Sequence, residues 1–127
     1  MIRILYNFIS LGIQLYWWFS GLFGNQKSRS AIKGRKNWEN KLADLNLSPN
    51  PIWVHVSSHG EGLMAIPLIN QILNETDENV LLTFFSPSGF KHFKHESNRV
   101  KKLYLPLDYH SNAKKFIPLL NPKMVVF

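Results

Sequence analysis

The sequence contains no cysteine, which excludes disulfide bonds and thiolate metal sites and is compatible with a reducing compartment. Acidic residues are also scarce. Eight Asp and Glu stand against 15 Lys and Arg, which gives a formal net charge of +7. Such an excess of positive charge favours an anionic partner: a phospholipid surface, a nucleic acid or a phosphorylated ligand. Charge alone does not choose among these three.

The longest apolar stretch, residues 2–23, approaches the roughly 20 residues that a membrane-spanning helix needs. Polar residues recur in it every three or four positions and would form one stripe on a helix: Arg3, Asn7, Ser10 and Gln14. Such a helix suits an anchor that lies in one leaflet as well as one that spans the bilayer. No A-x-A signal-peptidase site follows it. We therefore predict a membrane-anchor helix over residues 1–24.

A basic segment, residues 25–50, follows the predicted anchor. Its cations outnumber Glu39 and Asp44: Lys27, Arg29, Lys33, Arg35, Lys36 and Lys41. Basic residues directly after an apolar segment favour a cytoplasmic location for the following domain and attract it to an anionic surface. The spacing of Trp38, Leu42 and Leu45 predicts a short amphipathic helix within this linker, from about Arg35 to Leu45.

The remaining chain alternates apolar runs of strand length with helical segments. Strands are predicted at residues 52–56, 80–84, 100–105 and 122–127. Helices are predicted from the turn after the first strand to Leu73, with a kink at Pro67, from Pro87 at the first helical position to about Ser97, and over residues 111–120. This βαβαβαβ order with short connections predicts a parallel sheet that helices cover on both faces.

The turn after the first predicted strand, residues 57–61, is the strongest candidate for a ligand site. Open α/β sheets bind ligands where the carboxyl end of a strand meets the amino end of a helix. Glu61 is the one carboxylate in this turn. Ser58 and Glu61 also have the S-x-x-E spacing of a capping box. The residues alone therefore leave two roles open for Glu61, a helix cap and a functional acid.

Two other kinds of site are disfavoured. His92, His95 and Glu96 lie close together in the chain, but neighbouring polar residues on a basic surface helix are usually solvated, so we predict no metal site. The aromatic residues lie in the anchor and in the apolar runs rather than between surface Lys and Arg. That distribution argues against nucleic acid as a partner.

Motifs along nearly the whole chain resemble, in order, those of one family. The most specific is the H-x-x-S-x-G-E pattern from His55 to Glu61, and the others are individually weak. These others lie at residues 5–6, 34–39, 65–69, 83–89, 104–108 and 121–123. Together they resemble the amino-terminal domain of the 3-deoxy-D-manno-octulosonic acid (Kdo) transferases of Gram-negative lipopolysaccharide synthesis.

The resemblance implies the Rossmann-like amino-terminal half of a GT-B glycosyltransferase, with the acceptor-binding domain over residues 51–127 and truncated at its carboxyl-terminal end. It implies attachment to the cytoplasmic face of the inner membrane, and metal-independent, inverting transfer of Kdo from CMP-Kdo to a lipid A precursor. No cofactor is implied. In the family a carboxyl-terminal domain binds most of the CMP-Kdo, and we expect this chain to be inactive without one.

In the family, the glutamate of the Gly-Glu pair is the essential acid, so the resemblance implies that Glu61 is the general base toward the acceptor hydroxyl. It also implies a set of acceptor-binding residues, of which the three cations would meet lipid phosphates: Ser57, Ser58, His59, Gly60, Lys33, Arg35, Lys36, Ser88 and Gly89. Two alternatives stay open. One is another membrane-attached GT-B glycosyltransferase, and the other is a non-catalytic module that binds anionic membranes.

Overall fold

The computed structural model describes residues 26–127 and, nearer the amino terminus, residues 9, 11–13, 15, 16 and 19. These earlier residues are helical, and their large side chains are exposed. The rest of the predicted anchor helix lies outside the described residues. Within the part of the chain that is described, no helix is long and apolar enough to cross a membrane.

From residue 26 onward, helices and strands alternate after an initial pair of helices. In chain order they are α1 (Gln26–Arg35), α2 (Trp38–Asp44), β1 (Ile52–Val56), α3 (His59–Glu75), β2 (Val80–Phe84), α4 (Pro87–His92), β3 (Val100–Tyr104), α5 (His110–Leu120) and β4 (Met124–Val126). The prediction of an α/β fold with four parallel strands is confirmed.

The four strands form one sheet in the order β3-β2-β1-β4. Alternate side chains of a strand face opposite sides of a sheet, so each face has its own apolar cluster. Ile52, Val54 and Val56 of β1 lie in the cluster that includes residues of α3. Trp53 faces the other way, into a cluster with residues of α2 and α5. The central strand β2 is buried along its whole length, which explains why its sequence is apolar rather than alternating.

The basic linker differs from its prediction. In place of one helix from Arg35 to Leu45 there are two, and between them Asn37 adopts the left-handed conformation with φ 55°. A left-handed residue interrupts helical hydrogen bonding, and Asn tolerates this conformation better than most residues. The first of the two helices, α1, was not predicted because its buried residues give no apolar periodicity: Ser28, Ala31 and Arg35.

The ends of β3, β4 and α5 differ from their predictions by one or two residues, and those of α4 and α3 differ as follows. Helix α4 stops at His92 rather than near Ser97, because Phe93 leaves the helix with an extended backbone and is completely buried. Burial of this ring against the sheet outweighs the helical propensity of the residues that follow. Helix α3 continues past Pro67 to Glu75, with the proline on its exposed side.

Candidate active site

Two turns meet at the carboxyl edge of the sheet, one after β1 and one after β2. The backbone N–H of Ser86 donates to the carbonyl oxygen of Ser57 over 2.9 Å. Gly89 lies so close to the first turn that a Cβ atom there would be 3.0 Å from the His59 nitrogen and 2.6 Å from Cδ1 of Phe84. The structure thus brings Gly89 into van der Waals contact with the turn that carries Glu61.

Glu61 caps helix α3 and is nevertheless exposed. Its Oε2 accepts a hydrogen bond from the Ser57 N–H over 2.6 Å, and its own N–H donates to Ser58 Oγ over 3.3 Å. This is a capping box in which the carboxylate reaches one residue further back than usual. Among the described residues, Oε1 receives no hydrogen bond. The cap therefore occupies one carboxylate oxygen and leaves the other open to solvent.

The other residues of the first turn fall into two groups. Ser57 and Gly60 are exposed, whereas Ser58 and His59 are half-buried. The ring of His59 lies edge-on to the ring of His92, with centroids 6.1 Å apart, and its buried Nδ1 has no hydrogen-bond partner among the described residues. Ser88 is exposed, and its hydroxyl lies 3.2 Å from that of Ser86. Acceptor binding by these residues stays a prediction.

Among the three predicted phosphate-binding cations, Arg35 differs from the other two. Lys33 and Lys36 are exposed, but Arg35 is only 7% exposed. Its guanidinium donates to the carbonyl oxygens of Phe85 at 2.6 Å, Leu105 at 3.0 Å and Ala31 at 3.1 Å. The structure therefore corrects the assignment of Arg35 to lipid phosphates, and Lys33 and Lys36 stay the candidates for that contact.

Arg35 instead joins α1 to the carboxyl edge of the sheet. Phe85 directly follows β2 and Leu105 directly follows β3, so its bonds fix both strand ends. The guanidinium carbon also lies 5.1 Å from the ring centroid of Phe85 and 5.2 Å from that of Tyr104. Burial lowers the pKa of Arg35 to about 10, and Tyr104 partly opposes this shift.

His55 is a polar residue at this edge that begins the H-x-x-S-x-G-E motif but received no functional role from the sequence. It is half-buried near the end of β1, and its Nδ1 lies 3.0 Å from Thr83 Oγ1. Burial lowers the pKa of His55. The Thr83 backbone and the Glu61 carboxylate partly oppose that shift, and Arg35 adds to it. A single imidazole in an otherwise apolar strand was the signal that could have identified it.

The lowered pKa of His55 predicts a loss of stability in mild acid. The unfolded chain takes up a proton near pH 6.5, before the folded protein does, so stability should fall as the pH drops below this value. His55→Gln should reduce the slope of the free energy of unfolding against pH. The reduction should be less than about 1.4 kcal/mol per pH unit, which is the largest slope that one proton can produce. Urea unfolding over a pH series would measure the effect. The exposed His110→Gln serves as control, and equal slopes for both variants would contradict the prediction.

The described residues contain no group of three or more His, Asp and Glu that could hold a metal ion. His95, which the sequence places near His92 and Glu96, has other partners for both ring nitrogens. Its Nε2 lies 3.0 Å from Asn70 Oδ1, and its Nδ1 accepts from the Ser97 N–H.

A parallel α/β sheet with polar turns and an exposed carboxylate at its carboxyl edge is typical of domains that bind a ligand at that edge. A comparison with protein families identifies which domain this is. The family model described as "3-Deoxy-D-manno-octulosonic-acid transferase (kdotransferase)" matches residues 29–127. The chain belongs to this family.

Two curated relatives carry the name 3-deoxy-D-manno-octulosonic acid transferase. The protein from Aquifex aeolicus is 34% identical over 76 residues, which cover 59% of this chain and 21% of that protein. The protein from Haemophilus influenzae is 31% identical over 80 residues, which cover 61% of this chain and 19% of that protein. The matched part is thus about a fifth of each relative. No solved structure matches the chain significantly.

Proposed function

We propose that this chain is the acceptor-binding, amino-terminal half of a GT-B glycosyltransferase that transfers Kdo from CMP-Kdo to a lipid A precursor. One observation carries the assignment of the site. The Glu61 carboxylate is exposed at the ligand-binding edge of the sheet, and only one of its oxygens is engaged by the helix cap. Membership of the Kdo transferase family supports the reaction class.

In the proposed reaction, Glu61 is the general base. Oε1 accepts the proton of the acceptor hydroxyl while the hydroxyl oxygen attacks the anomeric carbon of Kdo. The bond from that carbon to the CMP phosphate oxygen breaks with inversion, and CMP leaves with the electron pair. The Ser57 N–H holds Oε2, so the carboxylate can take up the proton without leaving its place on the helix cap.

The reaction needs neither a cofactor nor a metal ion if hydrogen-bond donors and cations stabilise the charge of the leaving CMP. We propose that most of these groups belong to a carboxyl-terminal domain. The amino-terminal domain, residues 51–127, supplies the acceptor pocket, with Ser57, Ser58 and Gly60 beside Glu61. His59, Ser88 and Gly89 give the neighbouring wall its shape.

We further propose that residues 1–24 anchor the protein at the cytoplasmic face of the inner membrane, with the basic linker of residues 25–50 against anionic lipid. The exposed Lys33 and Lys36 at the end of α1 support this orientation. Each cation near an anionic surface contributes on the order of 1 kcal/mol. This placement would keep the acceptor turn close to a lipid substrate.

Deleting residues 1–23 should abolish binding of the chain to anionic vesicles, because the apolar segment supplies most of the buried area. Lys33→Gln with Lys36→Gln should weaken binding by roughly tenfold or more, in proportion to the charge lost. Vesicle sedimentation measures both effects. The exposed Lys114→Gln on α5 is the matched control. Undiminished binding by the deletion variant would disprove the anchor.

The transferase is tested by joining the full chain to the carboxyl-terminal remainder of the Aquifex aeolicus relative and supplying labelled CMP-Kdo with a lipid A precursor. Transfer that depends on Glu61 supports the proposal. Transfer only to a different lipid acceptor favours the alternative of another GT-B enzyme. Vesicle binding without any transfer favours the non-catalytic module.

A further inference from the structure

On one face of the sheet, the side chains of Trp53 and His55 both lie within hydrogen-bond distance of the buried hydroxyl of Thr83. Trp53 and His55 are alternate residues of β1, and His55 lies opposite Thr83 of β2 in the strand register. The Nε1–H of Trp53 donates to Thr83 Oγ1 over 2.8 Å, and His55 Nδ1 lies 3.0 Å from the same oxygen. Thr83 itself is completely buried.

The hydroxyl can satisfy both neighbours in one arrangement of protons. The indole nitrogen of Trp53 is only a donor, so Thr83 Oγ1 is the acceptor in that bond. The hydroxyl proton of Thr83 then needs an acceptor, because a buried polar hydrogen without one is costly. His55 Nδ1 is the acceptor that the described residues provide. It can accept only if it carries no proton, and a neutral imidazole then carries its proton on Nε2.

The second ring nitrogen of His55, Nε2, is available to bind a ligand. Among the described residues, Nε2 has no hydrogen-bond partner, and it is not among the fully buried unpaired atoms. The charged groups that act on the ring are Glu61 of the first turn and Arg35 of α1. On the β4 side the ring faces Phe127, with centroids 6.0 Å apart. Ser57, whose N–H donates to the Glu61 carboxylate, lies two residues further along the chain, in the turn that directly follows β1.

We propose that His55 is a substrate-binding residue: a neutral imidazole that Thr83 fixes with its proton on Nε2, and that donates a hydrogen bond to a hydroxyl oxygen of the bound sugar. This assignment rests on the proposed function for the identity of the ligand. Neutrality also matters for Glu61, because a cationic ring nearby would stabilise the carboxylate and weaken it as a base. Thr83 and Trp53 are the positioning residues, since they act through His55.

The protonation of the ring can be tested without any sugar transfer. Nitrogen NMR spectra of the labelled full chain near neutral pH should show His55 with a protonated Nε2 and an unprotonated Nδ1. The signals are assigned by their loss in His55→Gln. Thr83→Val removes the hydroxyl at nearly constant shape, so His55 should become a mixture of the two tautomers. Thr83→Ser keeps the hydroxyl, so His55 should keep its proton on Nε2 alone. A protonated Nδ1 in the unaltered chain would overturn the proposal.

A pair of variants tests the contact with the sugar in the joined enzyme. The amide nitrogen of Gln reaches roughly the place of imidazole Nε2, and that of Asn the place of Nδ1. We expect His55→Gln to retain kcat/KM within about threefold and His55→Asn to lower it about tenfold, mainly through KM. Equal losses in both variants overturn the role of Nε2. If the unaltered joined enzyme transfers no sugar, the proposed function fails. The NMR measurement of the tautomer then decides by itself whether Thr83 fixes His55 with its proton on Nε2.

Discussion

Glu61→Gln is expected to lower the rate of Kdo transfer about 10²–10⁴-fold, the usual contribution of a positioned general base. The substitution separates the two roles of this residue. The side-chain carbonyl of Gln can still accept the hydrogen bond that Oε2 receives from the Ser57 N–H, so the cap on α3 is retained. A neutral amide cannot take up the proton of the acceptor hydroxyl. Activity should therefore fall while the free energy of unfolding changes little.

Two further variants complete this experiment. Glu61→Ala removes both the base and the cap, so it should lose activity to the same degree and also about 1 kcal/mol of stability. Glu75→Gln, at the other end of the same helix, should leave both quantities unchanged. Initial rates and urea unfolding provide the measurements. Substantial transfer by Glu61→Gln would show that Glu61 is a helix cap and not the base.

Arg35→Met should lower the free energy of unfolding by about 3 kcal/mol. The variant keeps most of the apolar stem and removes the donors that satisfy the carbonyl oxygens of Ala31, Phe85 and Leu105. Hydrogen bonds to a charged group contribute about 1.5–3 kcal/mol each. The lowered pKa of Arg35 shows that burial of its charge offsets part of this gain. The loss should nevertheless be large, because three bonds disappear together.

Urea unfolding of the full chain would measure this loss, with Lys33→Met as the matched control. Lys33 lies on the same helix and is exposed, so its replacement should change stability by less than about 0.5 kcal/mol. Similar stabilities for the two variants would contradict the interior role of Arg35. If Arg35→Met folds normally but binds anionic vesicles less well, the original prediction that Arg35 contacts lipid phosphates would be correct.

The sheet could be predicted well from the sequence. The bounds of β1 and β2 agree with their predictions, because both strands are short apolar runs that turn residues interrupt. The cap on α3 was also visible, because the spacing of Ser58 and Glu61 is a local property of the chain. Family membership was predicted correctly from motifs that follow one another in order.

The role of Arg35 could not be predicted, because its partners are distant in sequence. Two of its three acceptors are backbone carbonyls that lie 50 and 70 residues away, and a backbone acceptor leaves no mark in the sequence. A basic residue in a basic segment is most simply interpreted as a surface residue. Only the packing of α1 against the strand ends places this one in the interior.

By itself, the sequence determined the four strands, their alternation with helices from residue 52 onward, the cap at Glu61 and the family, because each is recognised from short motifs of residues that are close together in the chain. The tertiary structure decided which polar groups meet at the carboxyl edge of the sheet. Parallel pairing places Thr83 beside His55, and the two turns come together only because Gly89 has no side chain. Such contacts depend on strand register and close approach, which no local pattern of residues specifies.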